Sequence, residues 1–257
     1  MNRKQESLSP LQRAREQLQT HGKRLASGKR IHSAADDAAG LAIAQLIRAD
    51  VASLNQRVRN ANDGASALQV ADGALGEVNH SLARMKELAT QAAGGVLSEG
   101  QKQIIADEFN SLAEGIDATI GTTRFNGQAL LDGEAPGPAL DAEAGAFRVD
   151  PRMDATAVKG LSFDDPVSAM HAVDEAIEQV SGYRATVGTM INRLETAAST
   201  QQIEAENQLA AQSRIEDADF AVETAALASA SVRSQASVAM QAHSNGMASR
   251  MMSLLMG

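Results

Sequence analysis

The chain has 257 residues, a net charge of -9 from 23 basic and 32 acidic side chains, and only 2% aromatic residues. Cysteine is absent, which excludes a disulfide framework, a thiolate metal site and a cysteine nucleophile. No apolar run approaches the ~20 residues of a membrane span, and the charged opening "MNRKQESLSP" has no apolar core of a cleavable signal.

Charge is uneven along the chain. Residues 1–30 hold eight Lys/Arg against Glu6 and Glu16, whereas 132–165 hold eight Asp/Glu against three basic residues. A basic end can meet nucleic acid or an anionic membrane. The segment has no aromatic residues to stack on bases, so neither partner is expected, and a solvated or partner-facing helix is.

A first helix is expected to open at Ser9-Pro10-Leu11-Gln12, with Ser9 as cap and Pro10 at the first helical position. Leu11, Leu18 and Leu25 recur every seven residues and form a packing seam; Gly28 ends it. The second helix is expected from Ser33–Asp37, with Ser33 capping, to Gly94-Gly95. Its seam runs through Ala44, Ile47, Val51, Leu54, Val58, Ala61, Ala65 and Leu68, then Ala71, Leu75, Val78, Leu82, Met85 and Leu88. At ~1.5 Å per residue such a helix is about 85 Å long, which suits a coiled coil or fibre.

Ser98–Gln101 carries a capping signature, and Ile105, Phe109, Leu112 and Ile116 follow at helical spacing. Between 121 and 164, Asn-Gly, Asp-Gly and Pro-Gly-Pro punctuate short apolar runs, the pattern of turns and two hairpin strands. Asp165-Pro166 restarts a helix whose seam is Val173, Ile177, Val180, Val187, Met190 and Leu194, ending near 212. Ser213–Glu216 reads as the next cap, and an Ala/Ser/Met helix closes the chain. Met240, Met247, Met251, Met252 and Met256 are expected to fill its core.

The fold class is therefore mainly α: long antiparallel helices in a coiled-coil-like rod with a small β-hairpin region, the termini paired as a second helical module. The segments are 1–30 and 213–257 for the terminal module, with 31–40 as linker. Residues 41–121 and 166–212 make the rod, and 122–165 the β/turn region.

Chemistry-bearing motifs are missing. Between Gly22 and Gly28 five residues intervene, Arg30 stands where a phosphate loop needs Ser/Thr, and a helix precedes the stretch. His32 with Asp36 and Asp37 does not make a coordination shell, because adjacent carboxylates point to different helical faces. His21, His80, His171 and His243 are scattered without metal-ligand or triad spacing. No catalytic residue, cofactor or metal is expected.

Four stretches resemble one family. "RLASGKRIHSAADDAAGLAIA" at 24–44 and "RNANDGASALQVADGALGEVNHSLARMKELATQAAGG" at 59–95 are similar to the N-terminal signature of bacterial flagellin, as is "RFNGQALLDG" at 124–133. "SRIEDADFAVETAAL" at 213–227 and "SLL" at 253–255 resemble its C-terminal signature. The related hook–filament junction protein, the alternative reading, usually carries proline after the double acid, where this chain has Ala38. A chemoreceptor-like signalling coiled coil is a more distant rival, disfavoured by the turn-rich middle and the two breaks.

The resemblance implies a self-assembling filament subunit for motility, short because the outer domains are absent. It implies paired chain ends, spoke-like linkers and a rod of three helices. Its implied partners are other flagellin subunits, an export chaperone, the filament cap and the hook-junction proteins. Export would run through the flagellar type III channel to the cell exterior. Packing and assembly residues are then Leu11, Leu18, Leu25, Ile47, Leu54, Leu68, Leu82, Ile177, Leu194, Leu254 and Leu255. The segment Leu82–Leu88 matches the region sensed by the vertebrate Toll-like receptor for flagellin, with Arg84 and Leu88 keeping the family's types. The charged N-terminus and Arg233, where the family favours an apolar residue, point to a minor or specialised flagellin.

Overall fold

Five helices and one small hairpin make up the structure, a computed structural model that describes residues 10–94, 96–131, 158, 161–163 and 165–256. The side chains at 10, 11, 244, 248 and 253–256 lie outside that description. In chain order the elements are α1 (Pro10–Ser27), α2 (Ala38–Ala93), α3 (Glu99–Thr122), β1 (Arg124–Phe125), β2 (Gln128–Ala129), α4 (Pro166–Glu216) and α5 (Phe220–Met256).

Local chemistry sets most of the boundaries. Ser98 caps α3 through a complete capping box with Gln101. Gly28, at φ 71°, ends α1 in the left-handed conformation that a side chain would strain. Asn126 (φ 49°) and Gly127 (φ 79°) turn the chain between β1 and β2, which pair antiparallel as Arg124 with Ala129 and Phe125 with Gln128. Two successive positive φ values match the right-handed twist of a hairpin, hence Asn-Gly. Asp165 caps α4 by accepting from the Ser168 backbone N–H at 3.1 Å.

Two expected caps are corrected. Ser33 does not cap α2, because its hydroxyl donates to the Asp36 carboxylate at 3.0 Å. Asp36 also accepts from the backbone N–H groups of His32 and Ser33, which closes residues 32–36 into a turn. Asp37 caps instead, taking the Gly40 N–H at 2.9 Å. Position 40 has no room for a side chain: a Cβ there would collide with the Asp37 carboxylate and stand 2.8 Å from Ile31 Cδ1. Likewise Ser213–Glu216 starts no helix. The Asp217 N–H bonds back to the Ser213 carbonyl at 2.9 Å and α4 runs on to Glu216. Asp219 is the true cap of α5, accepting from Ala221 and Val222 N–H.

The chain divides into two units. The central unit, Ser53–Glu204, is built on one aliphatic cluster. From α2 it takes Leu68, Leu75, Val78, Leu82, Met85 and Leu88; from α3 Phe109, Ile116 and Ile120; from α4 Val173, Val180, Val187 and Leu194. Every fourth or third residue of each helix thus faces the same core, and each fully buried side chain of this kind contributes about 1.5–3 kcal/mol. Leu131 and Val158 enter the same cluster, and the Phe163 ring meets Phe109 edge-on at 5.3 Å. Arg184–Asp72 at 2.8 Å and Lys86–Asp174 at 2.5 Å place α4 antiparallel to α2.

The terminal unit comprises Met1–Ala52 and Ala205–Gly257. Here α1 packs against α5, with Ala14 and Ala230 buried where the helices pair. Alanine lets backbones approach closely but buries little area, so this pairing gains less from apolar burial than the central core does.

Candidate functional site

The most elaborate polar constellation lies in the terminal unit, where the two connectors cross. Residues 28–30 and 216–218 run antiparallel: Arg30 N–H donates to the Glu216 carbonyl at 2.7 Å and Ala218 N–H to the Gly28 carbonyl at 2.8 Å. The Arg30 guanidinium also donates to the Ile215 carbonyl at 2.7 Å, filling an acceptor that the end of α4 leaves open.

Glu216 is the hub of this joint. It is only 4% exposed, although it sits at a helix C-terminus, where the dipole disfavours negative charge. Lys29 Nζ donates to it at 2.8 Å, the Arg48 guanidinium at 2.9 Å and the Gln212 amide at 3.0 Å. Lys29 leads the effects that hold this carboxyl down to about 2, joined by Gln212 and Arg48 and opposed by burial. One buried charge therefore ties α2, α4 and the 28–30 connector together.

A second carboxylate ties the helices. Glu223, at the start of α5, meets His21 Nδ1 at 2.5 Å and accepts from Arg24 at 3.3 Å. His21 is first among the causes that hold Glu223 below the usual carboxylate range, with Arg24 adding to it. Asp36 is held low mainly by the His32 backbone N–H and then by Ser33. These arrangements fix geometry; none presents a nucleophile, a base and a substrate cavity. Among the described residues no group of three or more His, Asp or Glu could hold a metal ion, and no helix is long and apolar enough to cross a membrane.

Beside its charged residues, the terminal unit also presents large apolar side chains outward. Ile43 and Leu46 on α2, Leu209 on α4, and Phe220, Val222, Val232 and Val238 on α5 are all exposed. So are Met240, Met247, Met251 and Met252, which corrects the expectation that they fill a core within the chain; Met256 lies outside the described side chains. The reason is length: α5 has 37 residues and α1 only 18, so much of α5 extends past its described partner.

The other expected residues separate into three groups. Leu54, Leu68, Leu82 and Leu194 are buried, Leu18, Leu25, Ile47 and Ile177 are half-buried, and the side chains of Leu11, Leu254 and Leu255 lie outside the description. Leu88 is packed into the central cluster and is 2% exposed. Arg84 is exposed, and its guanidinium bonds Glu108 at 2.9 Å and Glu87 at 3.1 Å. Glu108 first and then Glu87 raise its pKa. Sequence reasoning missed the Glu216 hub altogether. The available signal was a carboxylate four residues after Gln212 on the packed side of a helix end.

Residues 2–135 match the bacterial flagellin N-terminal helical region and residues 170–255 the bacterial flagellin C-terminal helical region. A flagellin of Halalkalibacterium halodurans is 38% identical, with 90% of this chain and 89% of that protein aligned. The flagellin of Bacillus subtilis is 34% identical over 92% of each chain. A flagellar filament 30.7 kDa core protein of Treponema maltophilum is 32% identical over 93% of each. The crystal structure of Bacillus cereus flagellin superposes with a TM-score of 0.50 at 30% identity, covering 56% of this chain and 88% of that one.

Proposed function

Because this chain belongs to the bacterial flagellin family and is a structural subunit of the flagellar filament, we propose that it polymerises through the apolar faces its terminal unit leaves exposed. The carrying observation is the row of exposed Val and Met side chains along α5, beside exposed Ile43 and Leu46 on α2. Apolar surface of this extent is costly in water and is relieved when further copies cover it. Repetition along a filament then makes many modest contacts cooperative. The central unit, with its own core, supplies the rigid body that those contacts hold in register.

The subunit is exported through the flagellar type III channel and works outside the cell. An export chaperone covers its C-terminal segment beforehand, and it meets the filament cap and the hook-junction proteins on assembly. Recognition by the flagellin-sensing Toll-like receptor uses Arg84, which is exposed, and not Leu88, which is buried. A specialised subunit that polymerises with a second flagellin is favoured by Arg233, which stands exposed on α5.

Deleting the last ~20 residues tests the central claim, because domains fold around their own cores. Sedimentation and electron microscopy are expected to show no filaments, while the α2–α4 core keeps its helical signal and cooperative melting. Normal filaments from the truncated chain would overturn it. Mixing the intact chain with another flagellin tests the specialised reading, which expects more filament from the mixture than from either chain alone.

A further inference from the structure

We propose that the exposed methionines of α5 form an oxidation site that blocks polymerisation while the subunit is unassembled and is shielded once it is assembled. This rests on the reading that α5 is covered by further copies in the filament.

The distribution of methionines carries the inference. Met240, Met247, Met251 and Met252 are 71%, 58%, 65% and 62% exposed, whereas Met85 in the central core is 0% exposed. Met247 and Met251 follow Met240 at two and three helical turns, so these three sulfurs share one face of α5. Met252 widens that stripe. The chain has no cysteine, so no thiol competes for an oxidant, and accessible thioethers are the softest nucleophiles it offers.

The chemistry is a two-electron oxygen transfer from a peroxide. A lone pair of the thioether sulfur attacks one peroxide oxygen, an S–O bond forms and the O–O bond breaks. Sulfur is oxidised to the sulfoxide, and hydrogen peroxide is reduced to water. A flexible apolar side chain becomes polar and chiral. Buried at a subunit contact, the new S=O would need a hydrogen-bond donor that an apolar seam does not supply. Methionine sulfoxide reductases, one for each epimer, reverse the step with a dithiol as electron donor.

The test uses the full chain as monomer and as filament, with hydrogen peroxide as oxidant, peptide mass mapping for site occupancy and sedimentation for assembly. In the monomer Met240, Met247, Met251 and Met252 are expected to become sulfoxides while Met85 does not. The critical concentration should rise at least about tenfold, the scale of losing one buried apolar side chain per contact. Treatment with both reductases and a dithiol should restore it. A variant carrying Met240→Leu, Met247→Leu, Met251→Leu and Met252→Leu keeps volume and apolarity, and should polymerise equally before and after peroxide. Should that variant fail to assemble untreated, reductase rescue of the wild-type chain decides.

Unchanged assembly of a fully oxidised wild-type chain overturns the proposal, as does equal loss in the leucine variant. If filaments form but their α5 methionines stay as reactive as in the monomer, the premise that α5 is covered fails as well. The two failures are therefore told apart by site mapping on the filament.

Discussion

The central and terminal units solve the same problem in opposite ways. In the central unit the largest fully buried side chains include Phe109, Leu75, Leu82, Met85, Ile116, Ile120, Val173 and Val180. Among the described residues of the terminal unit only Ile31 reaches that class, and the other buried positions are Ala14, Gly40, Ala44, Val51, Ala205 and Ala230 together with two carboxylates. The central unit packs most of its large apolar residues internally, although Val70, Val96, Ile104, Val167 and Ile203 face outward. The terminal unit spends its internal contacts on alanine seams and charge pairs and leaves Val and Met outward. A subunit that must join others needs such a division: one part that folds on its own core, and one whose apolar surface is completed by its neighbours.

The sharpest way to break the contrast is to hollow the central core. Phe109→Ala removes a fully buried ring and is expected to cost about 3–5 kcal/mol. Chemical denaturation followed by circular dichroism should show that loss in the main cooperative transition. Persistence of the wild-type midpoint would mean that the cluster is not the stabilising element.

A smaller effect is expected in the terminal unit from Glu216→Gln. Charge-assisted bonds from Lys29 and Arg48 are lost, about 2 kcal/mol, less than for a fully buried pair because both cations are about half-exposed and stay solvated. Hydrogen exchange should report faster opening at the Arg30 and Ala218 amides, with protection along α3 unchanged. Acid reproduces the same loss in the intact chain. The Glu216 carboxyl is depressed from 4.5 to about 2, so its contribution is complete above 4.5 and vanishes as pH falls through about 2. Protection at Arg30 and Ala218 should fall across that window, and the Glu216→Gln variant should lack that limb. A variant with the wild-type acid profile would remove Glu216 from this role.

The mildest expected effect is that of Asp37→Ala, about 1 kcal/mol for a helix cap. It should show as fraying of the first turn of α2, seen in amide exchange at Gly40. Ser33→Ala should leave that amide unchanged, since Ser33 serves the turn and not the helix.

Much of this was legible residue by residue. The seam through Leu54, Leu68, Leu75, Leu82 and Leu88 is buried as its spacing requires, and Pro10, Ser98–Gln101, Asn126-Gly127 and Pro166 stand at the boundaries they signal. The competing caps were harder. Ser33 and Asp37, or Ser213 and Asp219, carry similar capping chemistry, and the choice between them depends on what else binds the rival side chain. Asp36 occupies Ser33, and Asp217 occupies Ser213. The Glu216 hub left no periodic trace, because a charged residue on a packed helix end looks like an error until its cations are found.

The helices and the hairpin turn can be read along the chain, because helical period, capping and turn chemistry act between residues a few positions apart; the family is legible only through the long stretches that resemble it. Long-range packing settled which charges meet. Lys29 and Glu216 are 187 residues apart in the chain, and His21 and Glu223 are 202. It also decided which methionines stay outside. Such contacts depend on chain segments brought together by folding, and no local pattern along α1, α4 or α5 encodes the partner.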